Sequence, residues 1–161
     1  MPVLDITKDP QALTLTMTAA FAKQPERVWQ IWADPRQLER WWGPPTWPAT
    51  VVDHDLTVGG RVRYYMTGPA GEKAEGWWQF THIDPPRSRE FEDGFSDTSG
   101  QPDRTMPTMR VRVDLASTDD GTLMTVVTTF NSAEQMQQLS DMGMEEGLRG
   151  AAGQIDAILA D

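Results

Sequence analysis

Few residues of this chain have types suited to chemistry, and they centre on two histidines and a tyrosine. His54 stands between Asp53 and Asp55, and His82 lies just before Asp84-Pro85. Histidine changes charge near neutral pH, so either could act as a general acid or base. On a strand, His54 faces away from both neighbouring aspartates, so their adjacency is not a triad. The competing reading is a solvent-facing or strand-edge histidine. His82 shares strand parity with Trp78 and Phe80 and could point with them into an apolar interior; the alternative is a plain strand-end histidine. Tyr64 is a third acid–base candidate. No metal or cofactor is expected, because the chain has no cysteine, only two widely spaced histidines and no H-E-x-x-H pattern. No G-x-S-x-G elbow is present either. Gly59-Gly60-Arg61 lacks the Lys-Ser/Thr and following helix of a phosphate loop and reads as a hairpin turn.

A larger set of residues points to binding. Tyr64, Met66, Trp78, Phe80, Met109, Val111, Met124, Met144 and Leu148 converge on one side of the chain if strand alternation holds throughout. Trp42 would stand at their entrance. Methionine adapts its shape to irregular partners. The set is therefore either an ordinary packed core or the lining of a cavity for an apolar or aromatic small molecule, such pockets being typically about 300 Å³ or more.

The elements that must position these residues are legible from periodicity. Thr14 to Phe21 alternates, with Leu15, Met17, Ala19 and Phe21 on one face, which predicts a strand. Gln24 to Pro48 holds five of the seven tryptophans and reads as two short helices. The first starts at Pro25, and the second follows the N-cap Asp34 and Pro35. Strands are expected over 50–57, 61–66, 76–83, 87–93, 108–115 and 123–130, separated by turn signals such as Gly59-Gly60 and Asp119-Asp120-Gly121. Residues 94–107 form a long polar connection, either a flexible hairpin loop or a lid. Ser132 caps a short helix over 133–140, and an amphipathic helix is expected from Met144 to Ala160. Residues 1–12 read as a tail.

The fold class is thus α+β: an antiparallel sheet of six to seven strands, strongly curved, wrapped around a long C-terminal helix, with two short helices after the first strand. With 161 residues and no linker, the chain reads as a single domain over 1–161. A formal net charge of -10 argues against general affinity for nucleic acid or anionic membranes. No apolar run approaches a membrane span, and the N-terminus lacks a signal-peptide pattern, so a cytoplasmic location is expected.

At W-A-D-P-R-Q-L-E-R-W-W-G-P-P (residues 32–45), and at L-T-V-G-G-R-V-R-Y-Y-M-T-G-P-A-G-E further on, the chain resembles the heat-shock-protein-90 ATPase activator homologue-like (AHSA-type) family. G-W-W-Q-F-T-H-I-D-P-P-R, F-E-D-G-F and M-G-M-E-E-G-L are similar as well. The resemblance covers roughly residues 14–159. It implies the helix-grip fold of the START/SRPBCC superfamily, also called Bet v 1-like, which usually leaves a cavity between sheet and helix. Chaperone-activating members carry an additional N-terminal domain for which this length leaves no room, so chaperone activation is not expected. Three functions follow. The first is a binding module for an apolar small molecule, a homodimer being allowed. The second is an enzyme of cyclase, dehydratase or hydrolase type using the same cavity with His82, His54 or Tyr64. The third is a co-chaperone-like interaction module of the stress response.

Overall fold

A computed structural model describes residues 3–97, 99–103 and 105–161, without the side chains of residues 3 and 4. Eight strands form one antiparallel sheet: β1 (Val3–Asp9), β2 (Thr14–Phe21), β3 (Ala49–His54), β4 (Arg61–Thr67), β5 (Lys73–Asp84), β6 (Ser88–Phe95), β7 (Met109–Thr118) and β8 (Gly121–Thr129). Their spatial order is β1-β2-β8-β7-β6-β5-β4-β3. Every pairing is antiparallel, and all but β2–β8 join consecutive strands. The helix-grip architecture expected from the sequence is present, with two corrections to its inventory. The supposed tail is strand β1, which pairs with β2 and brings Ile6 against the core. The count therefore rises from six or seven strands to eight. The signal was missed because, among the described side chains of this edge strand, Ile6 alone is apolar and it is only half-buried, so the alternation is too weak to be recognised.

Helices α1 (Pro25–Ala33) and α2 (Pro35–Trp41) follow β2 as expected. The Asp34 carboxylate accepts the Arg36 backbone N–H and caps α2. Trp32 and Trp41 are each 1% exposed and meet edge-on at 4.7 Å. Such rings bury on the order of 150–250 Å² each and dominate the contact energy. Arg36 donates to the Val51 carbonyl and Glu39 accepts the Val51 N–H, which fixes α2 to the start of β3.

At the C-terminus α3 (Ala133–Asp141) carries the expected Ser132 cap, whose hydroxyl accepts the Gln135 N–H. The single long helix expected from Met144 to Ala160 is instead two, α4 (Met144–Ala152) and α5 (Ile155–Leu159). At the break the Gln154 N–H bonds back three residues to the Ala151 carbonyl, a tighter turn than α-helix. Glycine at 153 weakens the helix there, and the Gln154 side chain donates to the Gly43 carbonyl at 2.7 Å, holding the break against the end of α2. Ala151, Ala152, Ile155, Ile158 and Leu159 are buried against the sheet and α1. The 94–107 connection is partly built: β6 runs to Phe95, and Ser96 bridges Pro102. Thr98 and Arg104 of that connection lie outside the described residues.

Two bulges decide where the histidines go. In β3 the register shifts between Val51 and Asp53, so that His54 pairs with the inward Val62. In β5 it shifts between Phe80 and His82, so that Ile83 packs on the core while His82 pairs with Glu90. An extra residue reverses the facing of everything beyond it. His54 is thereby carried inward and His82 outward, the reverse of what uninterrupted alternation implies.

Candidate functional site

The inward face of β6 carries, in alternation, Arg89, Phe91 and Asp93. This strand supplies the charged groups of the interior, none of which sequence reasoning singled out. Asp93 is 8% exposed and stands opposite Trp78 of β5. Its Oδ1 accepts the Tyr64 hydroxyl at a long 3.4 Å. Burial pushes the Asp93 carboxyl up to about 7, against the pull of the Tyr64 hydroxyl and the Gly94 N–H. Burial, then the negative charge of Asp93, raises the Tyr64 phenol well above its ordinary value.

Local sequence explains how the phenol fits. Tyr64 pairs across the ladder with Gly76, and a Cβ at 76 would stand 2.5 Å from the Tyr64 hydroxyl oxygen. Only a glycine leaves room for the ring to lie across the neighbouring strand. The indoles of Trp42 and Trp78 close over the same place, 4.7 Å apart and edge-on. Both indole N–H groups lie near enough to the phenol to favour its ionised form, yet both are buried without an aligned hydrogen-bond partner among the described residues. Trp32 and Trp41, by contrast, have partners in the Met124 sulfur and the Ile31 carbonyl.

These groups stand at the wall of a cavity of about 170 Å³ between the sheet, α2 and α4. Trp42, Tyr64, Met66, Val111, Met144 and Leu148, all expected as lining, do line it. Asp93, Met17, Trp32, Trp41, Val126 and Thr128 complete the wall. Tyr64, Met66 and Asp93 also wall a smaller recess of about 120 Å³ toward Ala74 and Phe95. The remaining expected lining residues lie elsewhere. Trp78 stacks on Phe91 at 4.1 Å and reaches the site through its N–H edge. Phe80 is core, 1% exposed. Met124 is core and accepts the Trp32 N–H. Met109 packs with Leu15, Phe130 and Met136 in a separate cluster near α3. The cavity is smaller than the roughly 300 Å³ at which ligand pockets typically begin, which weighs against a large ligand.

Neither histidine borders this cavity. His82 Nε2 stands 2.9 Å from the Ser88 hydroxyl on the outer face of the sheet. His54 packs edge-on against Phe80 at 6.2 Å, its buried Nε2 without a hydrogen-bond partner among the described residues. Burial, then the positive charge of Arg89, lowers its pKa. Arg89 itself is fully buried, with no hydrogen-bond partner for its guanidinium among the described residues, and burial lowers its pKa to about 9. Its Cζ lies 4.7 Å from the Phe80 ring centre and 5.5 Å from those of Trp29 and Trp32. Cation–π attraction offsets part of the cost of burying that charge. Among the described residues no group of three or more His, Asp or Glu could hold a metal, and no helix is long and apolar enough to cross a membrane. A second apolar recess of about 270 Å³ lies at Phe95, Met106, Pro107, Leu139 and Met142.

The model of one family, described as activator of Hsp90 ATPase homolog 1-like protein, matches residues 22–160. The chain is similar to a protein of Arthrobacter aurescens with a solution NMR structure, at 53% identity and TM-score 0.93, covering 98% of this chain and 92% of that one. It is similar to a protein of Mycobacterium smegmatis in a crystal structure, at 52% identity and TM-score 0.90, covering 98% and 97%. An AHSA1 protein of Silicibacter pomeroyi shares the fold at 24% identity and TM-score 0.71, covering 91% and 97%. No curated protein matches the chain.

Proposed function

The chain belongs to the activator of Hsp90 ATPase homolog 1-like family, and we propose that it is a binding protein for an apolar small molecule about the size of one ring. The observation that carries this is the 170 Å³ cavity, walled chiefly by tryptophan, methionine and aliphatic side chains, with Asp93, Tyr64 and Thr128 as its polar groups. A dry apolar cavity of about 150 Å³ is enough to hold benzene. Polycyclic compounds, sterols and fatty acids exceed this space. The arrangement suits binding because the polar groups fix orientation while the apolar wall supplies affinity.

A thermal-shift panel of single-ring compounds tests it, with sterols and fatty acids alongside. A ligand at about 100 times its dissociation constant adds roughly 2.7 kcal/mol of stability, a clear shift for a chain of this size. Leu148→Trp, which fills the cavity from α4, should abolish the shift. Binding that survives this substitution, or no saturable shift from any single-ring compound, would overturn the proposal.

A second reading has a specific observation in its favour: a carboxyl with a pKa of about 7 facing the cavity suits proton transfer at neutral pH. An enzyme of this kind would use Asp93 and Tyr64 rather than the histidines. Turnover of a bound compound, lost in Asp93→Asn, distinguishes it from simple binding.

A further inference from the structure

We propose that Met66 sets the size of the ligand: its side chain is a movable partition between the cavity and the recess beside it, and the site is limited to one ring only while that side chain stands between them. The inference rests on the cavity being a ligand site. The cavity of about 170 Å³ and the recess of about 120 Å³ share three wall residues, Tyr64, Met66 and Asp93. Those side chains are what divides the two spaces. Two of them are held in place. The Tyr64 ring lies across Gly76, where a Cβ would stand 2.5 Å from the phenol oxygen, and its hydroxyl donates to Asp93. Asp93 is buried and also accepts the Gly94 N–H. Met66 has no comparable tie. Its thioether is at most a weak hydrogen-bond acceptor, and its unbranched side chain turns about three bonds.

The sheet leaves Met66 room to turn. Its partners across the two ladders are Ala49 of β3 and Ala74 of β5. Residues directly opposite each other point to the same face. A long flexible side chain is thus flanked on both sides by alanine, whereas Tyr64, two residues earlier on that face, has Val51 on one side. Ala74 is exposed, so the recess reaches the surface there. With Met66 turned aside or shortened, the two spaces join, and together they approach the roughly 300 Å³ at which ligand pockets typically begin. A dry cavity of about 150 Å³ holds benzene, so a second fused ring needs the joined space. Met144 is also a methionine of the cavity wall, but it stands on α4 and is not part of the wall of the recess. Shortening it enlarges the cavity by the same atoms without joining the two spaces.

The test titrates toluene and naphthalene, one ring and two, into the full chain by NMR. The quantity read is the ratio of naphthalene to toluene affinity. It should rise about tenfold or more in Met66→Ala and in Met66→Val, because the apolar surface of the second ring then leaves water. Two variants keep the test open if one fails to fold, and valine suits a strand. In Met144→Ala the ratio should stay within about threefold of the natural protein, a change under half a decade. An unchanged ratio in the Met66 variants, with toluene still bound, would overturn the partition and leave the cavity reading intact. A rise as large in Met144→Ala would overturn it as well, since any enlargement would then serve. If neither compound binds the natural protein or any variant, the cavity reading falls and the partition falls with it.

Discussion

Replacing Asp93 by asparagine should change the pH dependence of stability more than it changes the fold. Asp93 is 8% exposed, and burial raises its pKa from 3.8 to about 7. The native state holds a proton that the unfolded chain has already released, so between about pH 4 and pH 7 stability falls as pH rises. Below that window both states are protonated and the contribution is fully present; above it the contribution is lost. A gap of about three pH units, at about 1.4 kcal/mol per unit, comes to about 4 kcal/mol. The asparagine variant keeps a polar partner for Tyr64 but cannot titrate. Urea unfolding of both proteins at half-unit steps from pH 4 to pH 8 isolates the effect. The carboxyls of Asp34, Asp97 and Glu145, whose pKa values are lowered by hydrogen bonds, act in the opposite direction but are common to both chains and cancel in the difference. The natural protein should lose about 3–4 kcal/mol relative to the variant across the range, with the urea slope unchanged. Parallel curves within about 0.5 kcal/mol from pH 5 to pH 8 would refute a neutral acid at this place.

Other outcomes follow from the same packing. Arg89→Met should raise urea stability at pH 7 by about 1–4 kcal/mol, because a buried charge whose guanidinium has no hydrogen-bond partner among the described residues gives way to an apolar side chain of similar length; a loss would mean that its aromatic contacts outweigh desolvation. Gly76→Ala should cost about 1–3 kcal/mol and alter the near-ultraviolet circular dichroism, since the added Cβ meets the Tyr64 hydroxyl at 2.5 Å. An unaffected variant would show that the phenol is not held against the strand. Ser132→Ala should lower stability by about 1 kcal/mol in thermal melts through loss of the hydroxyl that accepts the Gln135 N–H.

Most of the fold was legible in the sequence. Alternation in Leu15, Met17, Ala19 and Phe21, and in Val111, Val113 and Leu115, sorted inside from outside correctly because β2 and β7 both pair with β8 without a register shift. Pro25, Asp34-Pro35 and Ser132 marked helix starts because local backbone chemistry operates over a few residues. Five of the twelve wall residues followed from periodicity: Tyr64, Met66 and Val111 from their strands, Met144 and Leu148 from helical spacing. Only the tertiary structure decided the rest. The bulges at Val51/Asp53 and Phe80/His82 exchanged the facing of the two histidines, and a register shift leaves no mark in composition or period. Nothing in the sequence singled out Asp93 and Arg89 because, in a chain with 24 acidic and 14 basic residues, one charged side chain resembles another until its neighbours are known. Their chemistry comes from burial, and burial is a property of strands brought together from distant parts of the chain.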